Sequence, residues 1–422
     1  MGQRRLKHWQ PTGEHMPDIA RQQARSERAA RFRAFMLVVP LLLFLVVVFI
    51  GPVLKLLSRS IDDQDVAAAL PRTVQALADW QWGTPLPETA YGALVDDLRA
   101  ASTPASLASA AGRLNYALPG MRALLMTSRT RLQSADRPES DPKAALLSLS
   151  AKWAEPETWV TIRQSSGPVT DFYLLTATDL KRVPDGSIER VPPSQSAFLP
   201  SIRTTFGIAF TVTLLAIAFG FPFAYLMASA SERVAGIMMF VVLLPFLTAT
   251  MVRILAWGIL LGREGVINYG LLTTGLTSGP LDILYNRTAV NIALLHIFVP
   301  YMILPLYSVM KTVPQSHMRA AASLGAAPFT AFRRVYLPQI APGLAAGSLL
   351  VFIQCLGVFV VPAILGGARE QGLPVVIAHY VNKTLNWGLA AALSVILLVS
   401  VYLVYWLFVR LTKSASLSLG AR

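Results

Sequence analysis

The sequence predicts an all-α polytopic membrane protein, with six transmembrane helices and a mainly helical insertion between the first and second. Three observations carry that expectation. Of 422 residues, 54% are hydrophobic and only 14% charged, where soluble domains carry roughly 25% charged residues. The apolar residues gather in runs near the ~20 residues that cross a bilayer. One long stretch between the first two runs, 58–201, instead has the mixed composition of an ordinary domain. A net charge of +14 would ordinarily suggest nucleic acid, but the basic residues sit at the ends of apolar runs, which points to a membrane surface. The single cysteine, Cys355, excludes intramolecular disulfides and cysteine-rich metal sites, so no metal is expected.

The elements follow in order. Residues 1–34 hold Arg4, Arg5, Lys7, Arg21, Arg25, Arg28, Arg31 and Arg33, a tail that the positive-inside rule keeps in the cytoplasm. The run 35–57 carries no charge until Lys55. Its apolar core exceeds that of a signal peptide and no A-x-A cleavage site follows, so a retained anchor is expected. In the 58–201 insertion, 89–101, 104–118 and 143–153 have helical spacing, whereas 159–163 and 172–177 alternate as strands do. Pro184-Asp185-Gly186 is a turn signal. Positive-inside counting places this insertion in the periplasm, and nothing in it resembles a catalytic constellation. Trp80, Trp82, Trp153 and Trp159 are expected in its core rather than in an aromatic box for a cation.

Five further spans are expected near 206–228, 236–260, 289–310, 344–365 and 389–409. They must be helices, because lipid offers the backbone no hydrogen-bond partner. Pro222, Pro245, Pro300, Pro305 and Pro362 lie inside or at the edges of these spans, which suggests a packed bundle that satisfies the freed carbonyls. These five spans thus occupy 202–410, followed by a short tail, 411–422. Six crossings put both termini in the cytoplasm, together with the 311–341 loop and its Lys311, Arg319, Arg333 and Arg334.

That loop is the most informative segment. It reads Ser316-His317-Met318-Arg319-Ala320-Ala321-Ala322-Ser323-Leu324-Gly325-Ala326-Ala327-Pro328-Phe329 and continues to Val335-Tyr336-Leu337-Pro338. Alanine favours a first helix that stops at Gly325, a natural C′ residue. Pro328 suits the first turn of a second helix, which Pro338 is expected to end. A short methyl-lined helix flanked by Arg319 and Arg333 makes a compact knob for a partner's groove.

The pattern Ala320-Ala321, then Gly325, then Val335-Tyr336-Leu337-Pro338 resembles the EAA loop of binding-protein-dependent ABC importer permeases. The segments 260–268, 280–286, 296–307 and 357–367 resemble the spermidine/putrescine branch of that family. The resemblance implies the type I importer permease fold and an inner-membrane location. It also implies that Arg319, Ala320, Ala321, Ser323, Leu324, Gly325, Ala326, Pro328, Leu337 and Pro338 couple this chain to an ATPase. The implied partners are a second permease, two ATPase subunits, a periplasmic solute-binding protein and the lipid bilayer. ATP and Mg would be bound by the ATPases, leaving this chain without a cofactor. The family's usual Glu is here Arg319, which is expected to seek an acidic partner or a carbonyl instead.

Charged groups inside spans are costly and are usually paired or functional. Arg253 is the clearest example, expected to bond carbonyls, to reach the interface or to act in a gate. His296, Asn291 and Gln354 are expected to make helix–helix hydrogen bonds. The five later spans hold no Asp or Glu. The path is expected along Arg253, Trp257, Tyr301, Tyr307, Gln354 and Phe359. A polycation would meet the aromatic faces of Trp257, Tyr301, Tyr307 and Phe359, with negative charge supplied by the other permease or the binding protein.

Other functions fit poorly. There is no G-x-x-x-x-G-K-[ST], H-E-x-x-H or G-x-S-x-G, which leaves an ATPase or a membrane hydrolase unsupported. A membrane sensor would need a long cytoplasmic signalling region, and a secondary transporter would need related halves and ionisable span residues. A permease for another small solute, such as an opine, an amino-acid derivative, iron or another ion, is the alternative within the family.

Overall fold

The computed structural model describes residues 35–100, 104–134 and 141–419, without the side chains of 104–105 and 411–419. The expected basic tail 1–34 lies outside the described residues, as do the side chains of the expected 411–422 tail. The chain divides into two compact units, 1–57 and 58–422.

In the first unit a single apolar helix starts at Phe35 and ends at Ser58, and its most apolar 18 residues have a mean hydropathy of 3.0. It widens to a π turn at Val46–Ile50, where the Gly51 N–H reaches back to the Val46 carbonyl. Pro52 follows at once, and its missing N–H and bulky ring are the sequence cause of such a bulge.

In the second unit, residues 58–197 form a helical domain with one hairpin. Leu94, Leu98, Leu107, Leu114, Leu125 and Ile162 are fully buried around Trp153 and Trp159. Trp80, Trp153 and Trp159 are core residues as expected, with 4%, 0% and 1% exposure, while Trp82 is exposed. The Trp153 indole donates to the Ser128 hydroxyl at 3.0 Å, and that of Trp159 to the Trp153 carbonyl at 2.9 Å. Two expected strands are helices, Pro156–Gln164 and Phe172–Ala177. The first has Pro156 in its first turn and buries Thr158 through Ile162 without a break; a segment covered all round loses the one-sided pattern by which a helix is read. The hairpin lies just after them, Leu180–Arg182 against Ile188–Arg190, turning at Gly186.

The remaining chain forms the bundle. Phe198–Ser229, Arg287–Thr312 and Pro328–Gly357 are long apolar helices packed on one another, and Trp387–Leu419 follows them. The expected third span is not one helix. Glu232–Leu247 and Thr250–Thr273 meet at a 96° bend. Pro245 tightens the end of the first half, and Thr248 closes it, its N–H and hydroxyl both donating to the Pro245 carbonyl. The structure thus has five long apolar helices, or six spans if the bent pair is one. Pro338 also departs from expectation. The helix runs from Pro328 to Gly357, because a π turn at Phe332–Tyr336 absorbs the proline, with the Leu337 N–H bonding the Phe332 carbonyl. The fifth span therefore stops at Gly357, and 360–365 is a separate short helix.

The insertion is seated on one end of this bundle. Tyr173, Ala177 and Phe198 share a core with Leu373, Leu389, Ala392 and Leu393. The Tyr173 ring lies so close to Gly388 that a Cβ there would collide with its Cζ. Asp179, in the left-handed region at φ 54°, accepts from the N–H groups of Ala197, Phe198 and Leu199 and from the Ser196 hydroxyl. Its carboxylate thereby satisfies the orphan donors that begin the Phe198–Ser229 helix. Although burial opposes the charge, these four donors hold the Asp179 carboxyl below the usual carboxylate range.

Candidate functional site

The opposite end of the bundle carries a helical hook. Arg287–Thr312 stops at Val313-Pro314, and a short helix, Gln315–Ser323, turns away from it. That helix ends in a Schellman motif: the Ala326 N–H bonds the Ala321 carbonyl at 3.0 Å and the Gly325 N–H bonds that of Ala322 at 2.9 Å. Gly325 has φ +82°, which an L side chain adopts only under strain. The chain then re-enters helix at Pro328, as its fixed φ allows.

The hook has a packed inner face and a bare tip. Ala321, Ala331 and Tyr336 are buried, and Tyr225 and Phe221 from the second span stack edge-on against Tyr336 and Phe332. Leu337 packs at the root, and Pro338 is half-buried there. Arg319, Ala320, Ser323, Gly325 and Pro328 are exposed, and Ala326 is half-buried. At the tip, Leu324 is 89% and Phe329 73% exposed. Sequence reading passed over Phe329; the signal was an aromatic one place after the helix-starting proline, where no core could cover it.

Beneath the hook lies a cavity of about 520 Å³ lined by Lys311 and Arg319 together with Tyr225, Met318, Phe332 and Tyr336. Lys311 also reaches over the Tyr307 ring, 5.9 Å from its centroid. Among the described residues neither Lys311 nor Arg319 has a carboxylate partner. The hook end is therefore basic, apolar at its tip and braced from behind.

Of the six path residues, Arg253 and Trp257 lie together on one helix, Thr250–Leu261. Trp257 donates its indole N–H to His296 Nδ1 at 3.1 Å, joining the bent third segment to the fourth span. Arg253 stands one turn before Trp257, bonds Thr250 Oγ1 at 3.1 Å and leaves its buried Nε without a partner. Tyr301 packs between Phe246 and Phe298. Tyr307 belongs to the hook end, with Lys311. Gln354 is exposed rather than bonded to a neighbouring helix, because it faces away from the bundle, and Phe359 is 47% exposed beyond the Gly357 break. Asn291 Oδ1 is buried without a partner, so of the three residues expected to bond between helices only His296 does.

The family of binding-protein-dependent transport system inner membrane components matches residues 194–416. The spermidine/putrescine transport system permease protein PotB of Haemophilus influenzae is 36% identical over 201 residues, 48% of this chain and 70% of that protein. PotB of Escherichia coli is 33% identical over 202 residues, covering 47% and 74%. The molybdenum transport system permease protein ModB of Mycobacterium bovis is 32% identical over 216 residues, covering 50% and 78%. Among solved structures, a bacterial ABC transporter that imports the acidic polysaccharide alginate aligns at a TM-score of 0.42 and 20% identity, covering 51% of this chain and 80% of that one.

Proposed function

We propose that this chain, which belongs to the binding-protein-dependent transport system inner membrane component family, is one permease subunit of a polyamine importer, with a spermidine- or putrescine-like cation as its cargo. It is a multi-pass transport protein of the inner membrane rather than an enzyme. The partners in this reading are a second permease, two ATPase subunits that bind ATP and Mg, and a periplasmic solute-binding protein. In this reading the insertion end faces the periplasm, the hook end faces the cytoplasm, and both termini are cytoplasmic.

A single observation carries the coupling role: Leu324 and Phe329 stand bare at the tip of a hook whose inner face is packed and which is capped and braced. An exposed apolar pair on a rigid support has a groove as its natural partner. Lys311 and Arg319 beside it favour a groove with a carboxylate at its edge. When the ATPases close on ATP, force applied to the hook passes into the Pro328–Gly357 helix, of which the second half of the hook is the continuation. The spans then alternate between outward and inward access.

Cargo is the finer part of the reading. It rests on the PotB relatives and on aromatic faces such as Trp257 and Tyr301, which attract cations without a carboxylate. One observation favours a second reading, an anionic solute: Arg253 has an unpaired Nε in a span region with no Asp or Glu. Uptake into proteoliposomes containing the full transporter and its binding protein separates the two. ATP-dependent uptake of labelled putrescine or spermidine supports the cation, and molybdate uptake without polyamine uptake overturns it. For the hook, replacing Ala321 or Gly325 by a bulky charged residue is expected to weaken co-purification of the ATPase. Unchanged assembly and hydrolysis would reject that role.

A further inference from the structure

The insertion holds a cavity of about 320 Å³ far from the hook, built around Arg113. Arg113 is only 3% exposed. Its Nε and Nη2 donate to the two oxygens of Asp63, both at 2.7 Å, and its guanidinium lies over the Phe172 ring at 4.1 Å from the centroid. The pair joins residues 50 positions apart and closes the start of the insertion onto its middle. Yet the third nitrogen, Nη1, is buried with no hydrogen-bond partner. A structural arginine needs only the Asp63 fork and the ring. A buried donor left over, on a side chain that lines a cavity, is costly unless something in that cavity accepts from it.

The rest of the lining narrows what that is. Leu118, Val160, Phe172 and Leu175 give the cavity apolar walls. The buried Thr161, Ser165 and Thr170 also line it, with the Thr161 hydroxyl donating to the Glu157 carbonyl and the Thr170 hydroxyl accepting from the Phe172 N–H. At the mouth Arg182 is paired with Asp171, while Lys181 and Glu157 are exposed and in no ion pair among the described residues. The deep donor asks for a strong acceptor, the walls for a short hydrocarbon body, and Lys181 offsets negative charge at the entrance. Cavities on the order of 300 Å³ hold small molecules rather than peptides.

We infer that this cavity is a binding site for a small carboxylate with a short aliphatic body, its carboxylate turned to Arg113 Nη1. The inference stands apart from the transport reading, since it uses no residue of the spans or the hook. It gives the insertion a solute-binding task of its own at the end of the bundle where the Trp387–Leu419 helix begins. Glu157 at the mouth also suits an amine at the far end of such a solute.

The test uses the full chain, purified with its partner subunits in nanodiscs and titrated calorimetrically with three four-carbon probes: butyrate, 4-aminobutyrate and butylamine. Binding of butyrate or 4-aminobutyrate, with no heat from butylamine, is the expected result. Affinity should fall at least tenfold in an Arg113→Gln/Asp63→Asn double variant, which keeps a hydrogen-bonded pair without its charges. Ala117→Trp, an exposed mouth position that leaves the ion pair untouched, should block binding and keeps the test decisive if the double variant misfolds. Binding of butylamine alone, no heat from any probe, or carboxylate binding that survives Ala117→Trp would each overturn the assignment.

Discussion

His317 Nδ1 and Gln339 Oε1 stand 2.8 Å apart, joining the hook helix to the root of the span that follows it. The direction of that bond is fixed. Gln339 Nε2 donates to the Val335 carbonyl at 2.7 Å, so its Oε1 faces the histidine, and Nδ1 must carry the proton. Val335 lies in the π turn that Pro338 makes necessary. One amide therefore ties hook, bulge and span into a single lever.

Cutting that tie should uncouple rather than unfold. Gln339→Leu removes the acceptor for His317 and the donor for Val335. Each hydrogen bond is worth about 0.5–1.5 kcal/mol, so transport-coupled ATP hydrolysis should drop about threefold to tenfold while membrane expression is unchanged. His317→Gln with Gln339 intact, which can still donate to Oε1, should keep most of the activity. A hydrolysis assay on both variants checks it.

The bare tip sets a second expectation. Burying a leucine or phenylalanine contributes about 1.5–3 kcal/mol. Leu324→Ser or Phe329→Ser should therefore weaken ATPase association about tenfold to a hundredfold, read by co-purification, with the melting temperature of the isolated chain nearly constant. Arg319→Glu should weaken it further at low salt than at high salt, because the lost attraction is screened.

At the other end, Gly388 is one of the positions where the insertion touches the last helix. A side chain there collides with the ring of Tyr173. Gly388→Leu should cost about 1–3 kcal/mol through overpacking and should lower the melting temperature. Gly388→Leu combined with Tyr173→Ala should recover part of it, which a thermal scan of the two variants decides.

Asp179 makes acid the selective stress for this junction. Its folded pKa lies below the unfolded value, so its contribution is fully present above the ordinary carboxylate range of about 4. It is lost as pH falls through the folded pKa. Asp179→Ala should cost about 0.5–2 kcal/mol at neutral pH, as removal of a helix cap does. The variant should also lose stability less steeply than wild type below about pH 4. Circular dichroism melts across that range measure both effects.

The sequence by itself determined whatever depends on neighbours along the chain. Long apolar runs must become helices in lipid, so the expected 289–310 and 389–409 lie within two residues of the helices Arg287–Thr312 and Trp387–Arg410, whereas the helix expected at 206–228 starts at Phe198 and the one expected at 344–365 runs from Pro328 to Gly357. The hook was legible because its cap is local: alanines, then Gly325, then Pro328. Tertiary structure decided what depends on partners distant in sequence. The 96° break near Thr248, the helix at 156–164 and the Trp257–His296 bond all follow from which surfaces meet. So do the Arg113–Asp63 pair and the Asp179 cap, each joining residues far apart in the chain. Hydrophobicity states that a face must be covered, but only packing selects what covers it.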